Sequence, residues 1–116
     1  MIMSKLCVFG PMLLCIDIDS PNQIRISKDK GLSWPKAFEM RSEVYELYVI
    51  RDEILAYTGK GFYYSKNGIA WSPRPSNIDR DEIYDVTVDG DVLIALTIDR
   101  GIFYSKNNGR TWSKRI

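Results

Sequence analysis

The chain has 116 residues with 16 basic and 15 acidic side chains, a net charge of +1, two cysteines and no histidine. That length holds one domain with a modest core. Near-neutral charge argues against a dedicated nucleic-acid or membrane surface, and the lack of imidazole excludes His–Cys zinc sites, Ser–His nucleophiles and imidazole pH switches.

The first eighteen residues pair Lys5 with an apolar run and could pass for a secretory leader. They lack a small-residue cleavage site, and Gly10-Pro11 breaks a run already too short to span a membrane. The expectation is therefore a cytoplasmic protein. Strands are predicted at Leu6-Cys7-Val8, Leu13–Ile16 and Gln23–Ile26. Cys7 and Cys15 fall on opposite faces, out of direct register, and read as small buried apolar residues. Asp17-Ile18-Asp19 with Asn22 lacks the glycine and distal glutamate of a calcium loop. The stretch Ala37–Leu47 comes nearest to a helical pattern, but its β-branched and aromatic content favours strand.

The next strands are Glu43–Val49, Ile54–Thr58 and Gly61–Tyr64. The last set is Glu82–Val88, a turn at Asp89-Gly90, Asp91–Thr97 and Gly101–Tyr104. After each third strand comes one polar, glycine-containing motif. Its copies are Ser27-Lys-Asp29-Lys-Gly31-Leu-Ser-Trp34, the shorter Ser65-Lys-Asn67-Gly68-Ile-Ala-Trp71, and Ser105-Lys-Asn107-Asn-Gly109-Arg-Thr-Trp112. A short fourth strand starts at or after each tryptophan. The copies recur about every 40 residues, the size of a four-stranded antiparallel meander. The predicted units are 3–40, 43–78 and 82–116, joined by short polar links at Arg41-Ser42 and 78–81.

The residue types of the motif suit a tied turn. Serine and Asp29, Asn67 or Asn107 can accept backbone N–H bonds, glycine allows a left-handed backbone, and tryptophan buries a large ring against its own hairpin. The three copies resemble the Asp-box, or BNR-repeat, family of sialidase-like β-propellers, and the resemblance covers essentially the whole chain. It implies an all-β fold of three four-stranded antiparallel propeller blades. It also implies that Ser27, Asp29, Gly31, Trp34, Ser65, Asn67, Gly68, Trp71, Ser105, Asn107, Gly109 and Trp112 are structural. Propellers close with about four to eight blades. Three blades leave two bare apolar faces, so a six-bladed ring closed by a second copy is expected.

In such a ring the first strand of each blade lines the channel, and ligands bind at its mouth. The aligned first strands place Lys5, Glu46 and Asp85 at one position and Tyr45 and Tyr84 at another. The links add Arg41 and Arg80, and the loops between second and third strands add Lys60 and Arg100. The expected role is non-catalytic capture of a carbohydrate or other small ligand, without metal or cofactor and with the chain itself as partner. Alternatives are sequestration of a small anion such as a nucleotide, as in a phage-type sponge, or a protein-interaction scaffold. A sialidase-like glycosidase is a further alternative. For that, Ile24-Arg25-Ile26 lacks the proline of the family's Arg-Ile-Pro motif, and Glu46 with Asp85 is the one carboxylate pair to consider.

Overall fold

The computed structural model describes residues 5–116, apart from the side chains of Lys36 and Ala37; the expected start of the first repeat at residue 3 lies outside them. Each repeat forms its own antiparallel meander. The first sheet contains β1 (Leu6–Phe9), β2 (Met12–Ile16), β3 (Gln23–Ser27) and β4 (Lys36–Glu39). The middle sheet contains β5 (Val44–Ile50), β6 (Glu53–Thr58), β7 (Gly61–Ser65) and β8 (Ser72–Arg74). After a short 3₁₀ turn at Arg80–Glu82, the third sheet contains β9 (Ile83–Asp89), β10 (Val92–Thr97), β11 (Ile102–Ser105) and β12 (Ser113–Lys114). In all three, the strands lie side by side in chain order.

The first hairpin of every repeat has a two-residue loop, because Phe9 pairs with Met12, Ile50 with Glu53 and Asp89 with Val92. The first loop residue has positive φ each time, at Gly10, Arg51 and Gly90, which matches the right-handed strand twist. Cys7 pairs with Leu14 and Cys15 with Leu6, so the two thiols lie on opposite faces and are free. Both are half-buried rather than buried: Cys15 shares the open face of the sheet with Leu6, and Cys7 packs partly buried against the layer shared with the middle sheet. Desolvation, with a smaller push from Cys15, raises the Cys7 thiol to about 12, so it is neutral at physiological pH.

The sheets stack through two apolar layers. One joins Leu14, Ile16, Ile24 and Ile26 of the first sheet to Val44, Leu47, Ile54 and Ala56 of the middle sheet. The other joins Tyr48, Leu55, Tyr57 and Phe62 of the middle sheet to Val86, Leu93, Ala95 and Phe103 of the third. The middle sheet is covered on both faces, and all six residues of β6 are buried.

The ends of this row are bare in complementary ways. Register anchors the repeats, since Leu13, Ile54 and Leu93 face the three motif serines. Leu6, Leu47 and Val86 are then equivalent. Leu47 and Val86 are 2% and 4% exposed because each packs on the preceding sheet; Leu6, with no preceding sheet, is 39% exposed. Ile16, Tyr57 and Leu96 are likewise equivalent. Ile16 and Tyr57 are 4% and 5% exposed under the following sheet, whereas Leu96, which has none, is 43% exposed.

Candidate functional site

The three motif turns share one hydrogen-bond scheme. Gly31, Gly68 and Gly109 donate their N–H to the serine Oγ at 2.8–2.9 Å. The Oδ1 of Asp29, Asn67 and Asn107 accepts from the serine hydroxyl and from the backbone N–H just before the tryptophan. Each indole Nε1 donates back to the glycine carbonyl at 3.1–3.2 Å. Hydrogen bonds from Ser33, side chain first, hold the Asp29 carboxyl at about 2, below its ordinary 3.8. The shorter second copy keeps the scheme. It lacks the left-handed residue that precedes glycine in the others, Lys30 and Asn108, and, with Ala70 in place of Ser33 or Thr111, their hydroxyl bond to the Asp or Asn side chain.

Each tryptophan folds back on its own turn, and two of them also reach the sheet before. Trp71 approaches Phe38 of the first sheet at 6.4 Å, and Trp112 stacks on Phe62 of the middle sheet at 5.7 Å and 23°. Gly68 lies against Met12 and Leu14 of the first sheet. The motif therefore couples each sheet to the one before it. Trp34 has no sheet before it, and with Leu6, Cys15 and Arg25 it lines an open apolar groove of about 740 Å³.

A buried polar network that the sequence reading missed binds the middle and third sheets. Arg74 donates to both oxygens of Glu53, at 2.6 and 3.0 Å, and to the Asn108 carbonyl at 3.2 Å. Asn108 Nδ2 donates to Glu53 Oε1 at 2.8 Å, and the Arg74 guanidinium lies over Tyr64 at 3.9 Å. Glu53, Arg74 and Asn108 are all buried. The Arg74 hydrogen bonds hold the Glu53 carboxyl at about 2, below its ordinary 4.5; burial opposes them and Asn108 assists. Beside this network, Asn77 exchanges two hydrogen bonds with the Trp112 backbone.

The nominated residues divide into several settings. Tyr45 and Tyr84 are the extra residues of equivalent β-bulges, since Val44 and Glu46 pair with consecutive residues Thr58 and Tyr57, and Ile83 and Asp85 with Thr97 and Leu96. Tyr45 packs edge-on against Tyr57 at 5.5 Å, and the Arg80 guanidinium lies 4.9 Å from both rings. Tyr84, on the bare end, is exposed. The single proton of the Tyr48 hydroxyl is shared between the Glu46 carboxylate and the Val86 carbonyl across the sheet gap. Burial, then Glu46, raises the Tyr48 phenol far above its ordinary range. Asp85 Oδ1 accepts the N–H of Val86. Arg100 pairs with Glu82 at 2.6 Å, Arg41 is exposed, and Lys5 borders the groove on the first sheet.

Two nominated cations do converge. Lys60 and Arg80 line a second groove, of about 310 Å³, between the middle and third sheets. Its walls include Gly61, Arg74, Ser76 and Asp79. Thr58, which the sequence reading also passed over, shapes its rim. Its hydroxyl donates to the Gly61 carbonyl at 2.7 Å and accepts the Lys60 N–H at 3.1 Å. Thr97 repeats this device around Arg100 and Gly101. That recurrence, a threonine ending the second strand before a glycine loop in the second and third repeats, was the available sequence signal. No protein-family model matches the chain, and no curated protein matches it. No helix among the described residues is long and apolar enough to cross a membrane.

Proposed function

We propose that the chain is half of a six-bladed, Asp-box-type β-propeller, closed by a second copy, which acts as a non-catalytic binding module for a carbohydrate or other small ligand at its channel mouth. The observation that carries the assembly is the mismatch at the two ends: Leu6 and Leu96 are bare where their internal equivalents are covered. The bare face of the third sheet is the kind that receives a following sheet, and the bare face of the first is the kind laid on a preceding one. One copy's third sheet therefore meets the other's first sheet, twice around a two-fold axis. Asp85 of one copy then neighbours the first-strand position held by Lys5 in the other, a pairing of opposite charge.

A binding role suits the way the carboxylates are used. Glu46 is engaged by Tyr48, and Asp85 by a backbone N–H, so the one candidate acid pair serves local structure. Light scattering tests the assembly: the expected mass is twice 13.4 kDa, and a stable particle of 13.4 kDa at micromolar concentration contradicts it. A glycan array probed with the assembled protein tests the ligand class, a reproducible neutral-sugar signal being the expected result.

A further inference from the structure

We infer that the groove between the middle and third sheets binds one oxyanion, of the phosphate-monoester type and carried on a small apolar body, between Lys60 and Arg80. Among the described residues, neither cation has a carboxylate within ion-pair distance, whereas Arg25, Arg74 and Arg100 each do. Arg80 is fixed in place before any ligand arrives. Its Nε donates to the Thr58 carbonyl at 3.0 Å, its Nη1 donates to the Ile83 carbonyl at 3.3 Å, and its guanidinium lies 4.9 Å from both the Tyr45 and the Tyr57 ring. These bonds leave Nη2 without a protein acceptor among the described residues. A guanidinium held this way loses little freedom on binding an anion. Lys60 lines the same groove from a loop whose shape Thr58 sets, with Gly61 at φ +107 closing it.

The remaining charges leave an anion favoured. Glu53 takes both arms of Arg74, so that pair is neutral towards the groove. Asp79 contributes one exposed carboxylate against the two cations. Phe62, Ile78 and Ile83 give the groove an apolar side, which suits an organic phosphate better than a bare ion. The Ser76 hydroxyl, which also lines the groove, is buried without a partner among the described residues and is free to donate to a ligand oxygen.

This inference rests on the binding-module reading for its purpose, but the groove is built by a single chain and does not depend on ring closure. The test is a titration of the isotope-labelled protein with phenyl phosphate at constant ionic strength, with phenol as the neutral control. Backbone signals of Gly61 and Ser76 and the Arg80 Nε–H signal are expected to move and saturate, with little movement for phenol. Lys60→Ala, at an exposed site, is expected to weaken binding about tenfold or more while leaving the spectrum otherwise native. Shifts that are absent, spread over other basic residues, matched by phenol or unchanged in Lys60→Ala overturn the proposal. Mass measured on the same sample separates the two readings. A dimer that ignores phenyl phosphate overturns the groove alone, and a monomer that binds it overturns the ring alone.

Discussion

At the residue scale, the motif turn shows how much a short local pattern can dictate. Serine, Asp or Asn, glycine and tryptophan lie within eight residues, so their bonds form whatever the rest of the chain does. Gly68 has a second duty, because its φ is +77 and a Cβ there would come 3.1 Å from the Met12 side chain. Gly68→Ala is expected to cost about 1–2 kcal/mol from the left-handed backbone, and more if Met12 cannot move, read as a lower urea midpoint. The partner of each indole was not legible in the sequence. An indole's burial depends on which sheet lies beside it, and nothing within one copy of the motif encodes that. The Glu53–Arg74–Asn108 network was hidden for a related reason. The positions equivalent to Glu53 are Met12 and Val92, so the repeat alignment gives no hint of a charge there.

At the element scale, strand order and type were legible because alternation and turn residues recur three times, and small differences at strand ends reflect fraying hydrogen bonds. Bulges were not legible, since they exist only in the pairing of two strands, yet they decide where Tyr45 and Tyr84 point. The network between β6, β8 and the third motif is the main polar fastening between two sheets. Glu53→Gln leaves the Arg74 charge buried without its counter-ion, and a loss of about 3–5 kcal/mol is expected in equilibrium unfolding. The pH dependence follows from the depressed carboxyl. Glu53 contributes its stability above its ordinary value of 4.5, and that contribution is lost as pH falls towards about 2. Unfolding midpoints measured from pH 5 to pH 2.5 should fall with acidification, and less steeply in Glu53→Gln than in the parent.

At the scale of the whole molecule, three sheets in a row present two unlike apolar ends, and repeat architectures generally need such ends capped. Leu96→Glu puts a charge where the equivalent Tyr57 is covered, so in the proposed ring it opens both junctions; the expected result is a particle of 13.4 kDa by light scattering, with the strand content intact by circular dichroism. A dimer that survives this substitution argues for another interface. The repeat count was plain in the sequence, but the groove beside Lys60 and Arg80 was only half visible. Residue types nominated five cations, while the choice of two among them depends on Glu82 claiming Arg100 and on tyrosines holding Arg80. The fully buried β6 has a kinetic consequence. Its amides are covered by sheets on both faces, so hydrogen exchange there requires the row to come apart, whereas β1 and β12 at the ends can open singly. In the monomeric Leu96→Glu chain, deuterium uptake should therefore run as a gradient, fast at the outer sheets and slowest along β6, and closure of the ring in the parent should flatten it.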